Sequence, residues 1–367
     1  MNFNKNTKIV NNTLIRNFSS LFLFFGMITA SCQELIFKDK EFEKALISER
    51  FDLNRNKKIE KEEAEKIEKI FNMNGFDVTS LDDIDLLPNL IFFSINNKNI
   101  KNISLKNHPK LETFKCWDGN LETAEFVNII NLKEIILTKN NLKSLSVNNR
   151  NTIKKLDLSE NKLINFEPKV YPNLEYLNIS FNSLKTIDLS FNKVLEWFSA
   201  AGNELTTLDF SKNPQLSIVT LYRNKLKTIN INKNVDLRIL NLNQNLLSKI
   251  NITANKNLKE LSLTDNLLTE INTDLNSNLI NLNLSGNRIS TLNVSKNAKL
   301  EYLTISDNPL KSLNISNNYN LKSIDLIGNP QTVDIKRTAG ANTKISFGYP
   351  TNVPPPTTNV PKKINKN

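Results

Sequence analysis

Residues 237–255 read Leu-Arg-Ile-Leu-Asn-Leu-Asn-Gln-Asn-Leu-Leu-Ser-Lys-Ile-Asn-Ile-Thr-Ala-Asn, and this stretch is one copy of a pattern that fills most of the chain. The pattern, L-x-x-L-x-L-x-x-N-x-L-x-x-L-x-L-x-x-N, recurs every 21 residues without an insertion or deletion. With Leu90 as position 1 it occurs twelve times, the last time from Leu321. Repetition at such a short period predicts a solenoid, in which each repeat forms one coil and packs against its neighbours.

Each coil has two halves with different expected backbones. Apolar residues at positions 4 and 6 predict a strand over positions 3 to 7, with its even side chains pointing inward. Stacked coils then form one long parallel sheet, roughly 50 Å in length at about 4.8 Å per strand. The return half alternates at positions 14 and 16 and is too short for a full helix, so we expect extended or 3₁₀ backbone there.

Position 9 is asparagine in ten successive coils, from Asn140 to Asn329. A buried carboxamide both donates and accepts hydrogen bonds, so it can satisfy backbone groups that a turn leaves unpaired. We interpret this series as structural. The first two coils have Lys98 and Gly119 instead, which predicts a weaker asparagine ladder at the N-terminal end.

The two ends of the solenoid need covering, because its core would otherwise be exposed to water. Residues 38–89 are expected to form the N-terminal cap, with one helix across Phe42 to Phe51 and a second from Glu62 to Phe71. A degenerate half-repeat from Phe71 to Ile84 then leads into the twelve coils of residues 90–336. Residues 337–367 are rich in proline, and we predict a disordered tail.

Residues 1–31 have the order of an export signal. Three basic residues precede an apolar run over residues 21–28, and residues 1–31 contain no acidic residue. The apolar run is too short to span a bilayer. Ala30 and Ser31 before Cys32 are similar to a bacterial lipobox, so Cys32 is the expected lipid anchor of an outer-membrane or cell-surface lipoprotein. The alternative is ordinary signal cleavage near Ala30 without a lipid.

The net charge and the cysteine content limit the binding partners and the disulfides that the chain can have. The formal charge is +11, and it falls to about +8 when the three basic residues of positions 1–31 are removed with the signal. Export argues against a nucleic-acid partner, and the excess charge would favour anionic glycans or lipid headgroups. The lysines are scattered along the sequence, however, so we interpret them as a solvated surface. Cys32 and Cys116 are the only cysteines, so we expect no disulfide framework, and we expect a monomer.

The 21-residue period, Cys116 at position 6, and the phrases Leu-Asp-Leu-Ser at 156–159 and Ile-Asp-Leu-Ser at 187–190 resemble the internalin-J-like leucine-rich repeats of bacterial surface proteins. The resemblance covers residues 38 to about 336. It implies a leucine-rich-repeat solenoid that acts in adhesion or partner binding. The partner differs among members of that family, so the resemblance implies no particular ligand.

A segment of the cap has the residue spacing of an EF-hand calcium loop. Its candidate ligands are Asp52, Asn54, Asn56, Lys58, Glu60 and Glu63. Lys57 stands where such a loop normally has a glycine with positive φ, and the nearby lysines oppose a cation. The alternative is a polar turn between two helices. We expect no other cofactor.

Large side chains at outward strand positions are candidates for a binding site, because the core does not need them. They concentrate in coils 5 to 8, and aromatic and arginine side chains of this kind are frequent in interface hot spots. The candidate ligand-binding residues are Trp117, Tyr176, Phe181, Trp197, Ile218, Tyr222, Arg223, Arg238 and Ile239. The alternative is that these side chains merely pack against one another along the sheet.

We therefore predict a non-catalytic surface protein that recognises a protein or glycan through its sheet. One alternative is a scaffolding lipoprotein of the cell envelope. A third hypothesis, an enzyme acting on an envelope polymer, would depend on carboxylates such as Glu175, Glu196 or Glu301. The sole histidine, His108, lies at position 19, where later coils have asparagine, and we assign it to a turn.

Overall fold

The protein is a solenoid with one long parallel sheet, as the repeat pattern predicts. The structure is a computed structural model, and it describes residues 33–73, 75–330, 332–337 and 343–347. All pairings between neighbouring strands are parallel and mostly one coil apart in sequence. Among these described residues the main sheet has 14 strands: β1 (Lys69–Ile70), β2 (Phe92–Asn96), β4 (Thr113–Trp117), β6 (Glu134–Ile136), β8 (Lys155–Asp157), β9 (Tyr176–Asn178), β10 (Trp197–Ser199), β12 (Ile218–Thr220), β14 (Ile239–Asn241), β15 (Glu260–Ser262), β16 (Asn281–Asn283), β18 (Tyr302–Thr304), β20 (Ser323–Asp325) and β22 (Lys344–Ser346).

In the part of the chain that the structure describes, the return halves form three smaller sheets, with loops elsewhere. Their strands are β3 (Asn102–Lys106), β5 (Thr123–Val127), β7 (Ser144–Val147), β11 (Thr207–Asp209), β13 (Thr228–Asn230), β17 (Thr291–Asn293), β19 (Ser312–Asn314) and β21 (Asp334–Lys336). Short 3₁₀ helices cover Asp82–Leu86, Arg150–Thr152 and Pro168–Val170. The return backbone is therefore extended or 3₁₀, as expected.

Most strands of the main sheet are shorter than the sequence pattern predicts. They span positions 3 to 5 only, and the full stretch of positions 3 to 7 is found in β2 and β4. The chain must turn soon afterwards, because position 8 has a positive φ in every coil from the second to the twelfth. Most of these coils place a non-glycine residue in that left-handed conformation, which carries a cost for an L-residue.

The core runs continuously along the inside of the sheet. In the coil that begins at Leu237, the residues Leu237, Leu240, Leu242 and Leu247 are fully buried. The asparagine at position 9 closes the turn in the same way in coils 3 to 12. Asn245 donates through Nδ2 to the carbonyls of Leu221, Leu242 and Asn243, and its Oδ1 accepts from the N–H of Leu226.

The expected weakness of this asparagine ladder in the first two coils is only partly found. Asn97, at position 8, is buried and accepts from the N–H groups of Asn99 and Ile100. Gly119 leaves the space that Asn140 needs, since a Cβ there would lie 2.9 Å from the Oδ1 of Asn140. Asn97 thus supplies a carboxamide in coil 1, shifted by one position, whereas Gly119 supplies none in coil 2.

The N-terminal cap differs from the prediction in its second half. Helix α1 (Lys40–Ser48) begins at Asp39, whose side chain accepts from two N–H groups of its first turn. Helix α2 (Lys61–Ala64) is a single turn, so the prediction of a helix through Phe71 is wrong. The chain instead becomes extended in β1, which pairs with β2. Phe71 is 62% exposed and contributes little to the core.

The prediction of a disordered tail over residues 337–367 is wrong for a short part of that segment, which forms a strand. Strand β22 pairs with β20 in the register of one full coil, with Ile345 opposite Ile324. The repeat therefore continues past its predicted end, and Ile345 stands at position 4 of a further coil. In coil 12 the return strand is shifted by one place, since Ser312 pairs with Asp334. Ile335 thus occupies the place that the pattern assigns to Asp334, and the rest of the tail lies outside the described residues.

Cys32 and the export signal also lie outside the described residues. Among the helices that the structure does describe, none is long and apolar enough to cross a membrane.

Candidate functional site

The exposed face of the main sheet has a row of large side chains at position 3. Tyr176, Trp197, Ile218 and Ile239 occupy this position in coils 5 to 8, and each is half-buried. The strand register pairs them in that order. We call these four residues the aromatic row.

The two rings of the aromatic row stack on one another. The ring centroids of Tyr176 and Trp197 are 4.1 Å apart and the rings are inclined by only 8°. The Nζ of Lys155 lies 5.2 Å from the centroid of Tyr176, and Ile218 follows Trp197 in register. The ring faces are thus turned toward neighbours along the sheet. The row therefore does not provide the open aromatic shelf that stacking on a sugar ring would need.

Charged side chains extend this row toward the N-terminal end. Glu134 is 3.1 Å from the Nζ of Lys155 and 3.2 Å from that of Lys115. Burial alone would raise the pKa of Glu134, but its close ion pairs with the two lysines lower it below its usual value. Burial, together with the charge of Asp157, raises the pKa of Tyr176 to about 12. The phenol therefore stays neutral at physiological pH.

A second aromatic cluster lies where the strands end. Phe181 has a positive φ of 54° and is 39% exposed. Its ring lies against Gly202, where a Cβ would approach the ring to 2.5 Å, and it meets Tyr222 edge to face at 5.9 Å. This positive φ belongs to the repeat, because position 8 adopts it in every coil from the second to the twelfth. We call Phe181, Gly202 and Tyr222 the aromatic corner.

The structure separates the candidate ligand-binding residues that the sequence analysis grouped together. Trp117 lies in coil 2, three coils from Tyr176, which corresponds to about 14 Å along the sheet. Arg223 follows the end of its strand, whereas Arg238 precedes the beginning of the next. The two arginines therefore lie at opposite edges of the sheet.

The sequence analysis did not identify two residues that contact candidate site residues, Lys155 beside Tyr176 and Gly202 beside Phe181. Each lies one coil from an aromatic residue that was identified, Lys155 before Tyr176 and Gly202 after Phe181. A comparison of equal positions in adjacent coils would have found both.

The candidate calcium loop closes on itself. The carboxylate of Glu63 accepts from the N–H groups of Leu53, Asn54 and Glu60. The side-chain amides of Asn54 and Asn56 both donate to Glu60. Among the described residues, no group of three or more His, Cys, Asp or Glu side chains is placed to hold a metal ion.

The remaining loop residues also have other roles. Asp52 accepts from the N–H groups of Asn56 and Lys57, and Lys57 has the positive φ of 67° that the loop position requires. The Nζ of Lys58 is 2.8 Å from Glu34. These contacts are those of a polar turn between the two helices, and the calcium loop stays a prediction.

Two of the three carboxylates considered for catalysis, Glu175 and Glu301, form salt bridges. Glu175 pairs with Lys154 at 2.7 Å, and Glu301 with Lys322 at 2.6 Å. His108 is buried, and its Nε2 is 2.9 Å from Asp85. Burial raises the pKa of the Cys116 thiol to about 12, which keeps it protonated and unreactive.

Comparisons with known proteins agree with the fold. The Leucine Rich Repeat family model matches residues 173–202. The functional domain of InlJ from Listeria monocytogenes is 22% identical, with a TM-score of 0.68, over 85% of this chain and 69% of that one. That domain is described as including a cysteine ladder, whereas this chain has a single cysteine in its repeats. No curated protein sequence matches the chain.

Two further solved structures have the same architecture. The internalin InlF from Listeria monocytogenes is 19% identical with a TM-score of 0.67, over 87% of this chain and 97% of that one. The Drosophila Toll–Spatzle complex contains a chain that is 21% identical with a TM-score of 0.56, over 71% of this chain and 44% of that one. Together with the repeat geometry, these likenesses identify the chain as a leucine-rich-repeat solenoid with the fold of the internalins.

Proposed function

We propose that the chain is a non-catalytic recognition protein that binds another protein through the aromatic row. The observation that carries this proposal is the fixed, half-exposed row from Tyr176 to Ile239 on a rigid sheet. The Tyr176 ring is packed between Lys155 and the Trp197 ring, and the register places Trp197 between Tyr176 and Ile218. A partner therefore meets side chains that are already ordered, and less conformational entropy is lost on binding.

The orientation of the rings favours a protein over a glycan at this row. Sugar rings stack on open aromatic faces, but here the faces of Tyr176 and Trp197 are turned toward each other. Ring edges and the branched side chains of Ile218 and Ile239 suit the apolar side chains of a protein. Solved neighbours of the same fold, Toll with Spatzle and a plant receptor with the peptide hormone RGF2, are described as protein or peptide complexes.

Export and lipid anchoring at Cys32 are part of the proposal and rest on the sequence of positions 1–32. A cell-surface or outer-membrane position would bring the sheet into contact with extracellular or envelope proteins. Replacing Cys32 by serine in the producing bacterium tests the anchor. We expect the variant to leave the membrane fraction, and an unchanged distribution would reject the lipid anchor.

The binding site is tested with the double variant Tyr176→Ser/Trp197→Ser. Purified chain is applied to arrays of extracellular and envelope proteins and, separately, to glycan arrays. Loss of two central aromatic side chains should weaken binding to a protein partner by about a hundredfold or more, because interface hot spots contribute about 2 kcal/mol or more each.

The matched control is Trp117→Ser, which removes a tryptophan from the same face three coils away. Its binding should stay within about twofold of the unmodified chain, and circular dichroism should show that all variants are folded. Equal binding by the double variant and the unmodified chain would reject the aromatic row and favour the scaffolding hypothesis. Binding to glycans that depends on the row would reject the choice of a protein partner.

A further inference from the structure

One edge of the solenoid is strongly basic, although its lysines are far apart in sequence. This edge consists of the turns at positions 8 to 12 of coils 1 to 7, which follow the strands of the main sheet. These turns carry nine basic and four acidic side chains. All nine basic side chains are exposed. We call this region the lysine edge.

The excess of positive charge is local. In coils 8 to 12 the same turns carry two basic and two acidic side chains. On the opposite edge of coils 1 to 7, at positions 20, 21 and 2, there are four of each sign. The excess on the lysine edge is therefore not a consequence of the net charge of the chain.

Two carboxylates on the lysine edge, Glu122 and Glu204, each have a pKa that more than one lysine lowers. Glu122 is 2.6 Å from Lys143, and its pKa is lowered by this lysine and, more weakly, by Lys101 and Lys162. The pKa of Glu204 is lowered by Lys225 and, more weakly, by Lys185. Each acid thus leaves neighbouring lysines without a salt bridge among the residues that the structure describes.

The lysines at position 12 are regularly spaced. Lys101, Lys143, Lys185 and Lys227 occupy this position in coils 1, 3, 5 and 7, which is every second coil. At about 4.8 Å per coil they are about 10 Å apart and span about 29 Å along the rod. A linear polymer with a regular anionic repeat on this length scale can meet all four at once. Lysine, a flexible point charge, suits an anion whose geometry is not fixed.

The aromatic corner lies on the same edge and adds a second feature. The ring of Phe181 rests against Gly202, yet 39% of the residue remains exposed. Unlike Tyr176 and Trp197, which stack face to face, the Phe181 ring meets its aromatic neighbour Tyr222 edge to face. An exposed aromatic ring beside regularly spaced cations favours a sugar polymer over an acidic polypeptide.

We propose that the lysine edge binds an acidic polysaccharide in which alternate sugars carry a carboxylate, with Lys101, Lys143, Lys185 and Lys227 as the principal contacts. This surface is distinct from the aromatic row and does not depend on the protein partner proposed above. The contact is electrostatic, so its affinity should fall steeply with added salt.

The test is binding of a fluorescently labelled hyaluronate decasaccharide to the full-length chain. The test variant replaces the four position-12 lysines by glutamine. The control replaces Lys110, Lys193, Lys256 and Lys299 by glutamine, four exposed lysines on the opposite edge, and so removes the same charge. We expect the test variant to bind about tenfold more weakly, and the control to change less than about twofold.

Each other outcome would overturn the proposal. Equal weakening of both variants would show that only net charge matters. Stronger binding of poly-L-glutamate at equal charge would assign the edge to an acidic protein, and binding of phosphatidylglycerol vesicles instead would assign it to a membrane surface. No binding of hyaluronate by the unmodified chain at low salt would reject an acidic polysaccharide with this repeat.

Discussion

The asparagine at position 9 connects neighbouring coils through a single side chain. Asn245 makes one bond from Nδ2 to the preceding coil, at the carbonyl of Leu221, and two to its own coil. Its Oδ1 accepts from the N–H of Leu226, also in the preceding coil. The sequence was sufficient to assign this role, because a carboxamide can both donate and accept at a buried turn.

Replacing Asn245 by alanine should therefore destabilise the solenoid. The change removes four hydrogen bonds and leaves buried backbone groups without partners, which we expect to lower the free energy of unfolding by about 3 kcal/mol. Urea unfolding followed by circular dichroism measures this. The control Asn232→Ala alters an exposed asparagine and should change stability by less than about 0.5 kcal/mol. A similar small effect at Asn245 would contradict the structural role of position 9.

The second recurring place for asparagine in the repeat, position 19, shows a limit of pattern reading. Asn297 receives a hydrogen bond at Oδ1 from the hydroxyl of Thr273. In the neighbouring coils Asn276 and Asn318 have no such partner for Oδ1 among the described residues. The repeat pattern alone treats these positions as equivalent, because the difference lies in a single side chain of another coil.

At the scale of elements, Asp39 joins helix α1 to the rest of the cap. Its carboxylate accepts from the N–H groups of Phe42, Thr79 and Ser80. Burial alone would raise the pKa of Asp39, but these hydrogen bonds lower it below the usual value. The folded state therefore binds a proton at Asp39 less readily than the unfolded chain does.

The variant Asp39→Asn should lower the free energy of unfolding at neutral pH by about 2 kcal/mol, because an amide nitrogen would face several donors. The contribution of Asp39 is fully present above its unfolded pKa of about 3.9 and is lost as the pH falls through the lower folded pKa. The difference between unmodified chain and variant should therefore persist at pH 5 and shrink in more acidic buffer. The exposed Asp82→Asn serves as control, and a difference that did not change with acidity would contradict this assignment.

The loop between α1 and α2 yields a prediction about calcium. Glu60 and Glu63 are already occupied by hydrogen-bond donors of the loop, so calcium would have to displace these contacts. We expect millimolar calcium to change the melting temperature by less than about 1 °C, whereas a site occupied well above its dissociation constant would stabilise the chain measurably. A calcium-specific increase of several degrees, absent with magnesium, would restore the EF-hand interpretation.

How far the sequence predicts the elements depends on which interaction determines them. Positions such as Leu240 and Leu242 follow from apolar alternation, and their burial was predictable. The end of most strands at position 5 was not predictable, because β4, which extends to position 7, has the same apolar alternation and the same left-handed turn at position 8 as the shorter strands. Strand β22 was missed because Ile345 continues the period after a coil whose return half is shifted by one place.

At the scale of the whole molecule, stacking brings together residues that are distant in sequence. Lys101 and Lys227 belong to coils 1 and 7 but lie on one edge of the rod. A linear reading describes such lysines as scattered, and only a comparison of equal positions across coils reveals the charged edge. The direction of the Tyr176 and Trp197 rings could not be read from sequence at all, since it depends on side-chain packing.

The two proposed surfaces should act independently, because a solenoid transmits little between sites that share no contacts. The aromatic row lies at the beginning of the strands and the lysine edge beyond their ends. Tyr176→Ser/Trp197→Ser should thus weaken binding of the protein partner and leave hyaluronate affinity within about twofold, while the four lysine-to-glutamine changes should do the reverse. Both affinities are measured for both variants in the same buffer. If either variant weakened both ligands, the two would share one site, and the division of the rod into two binding surfaces would be wrong.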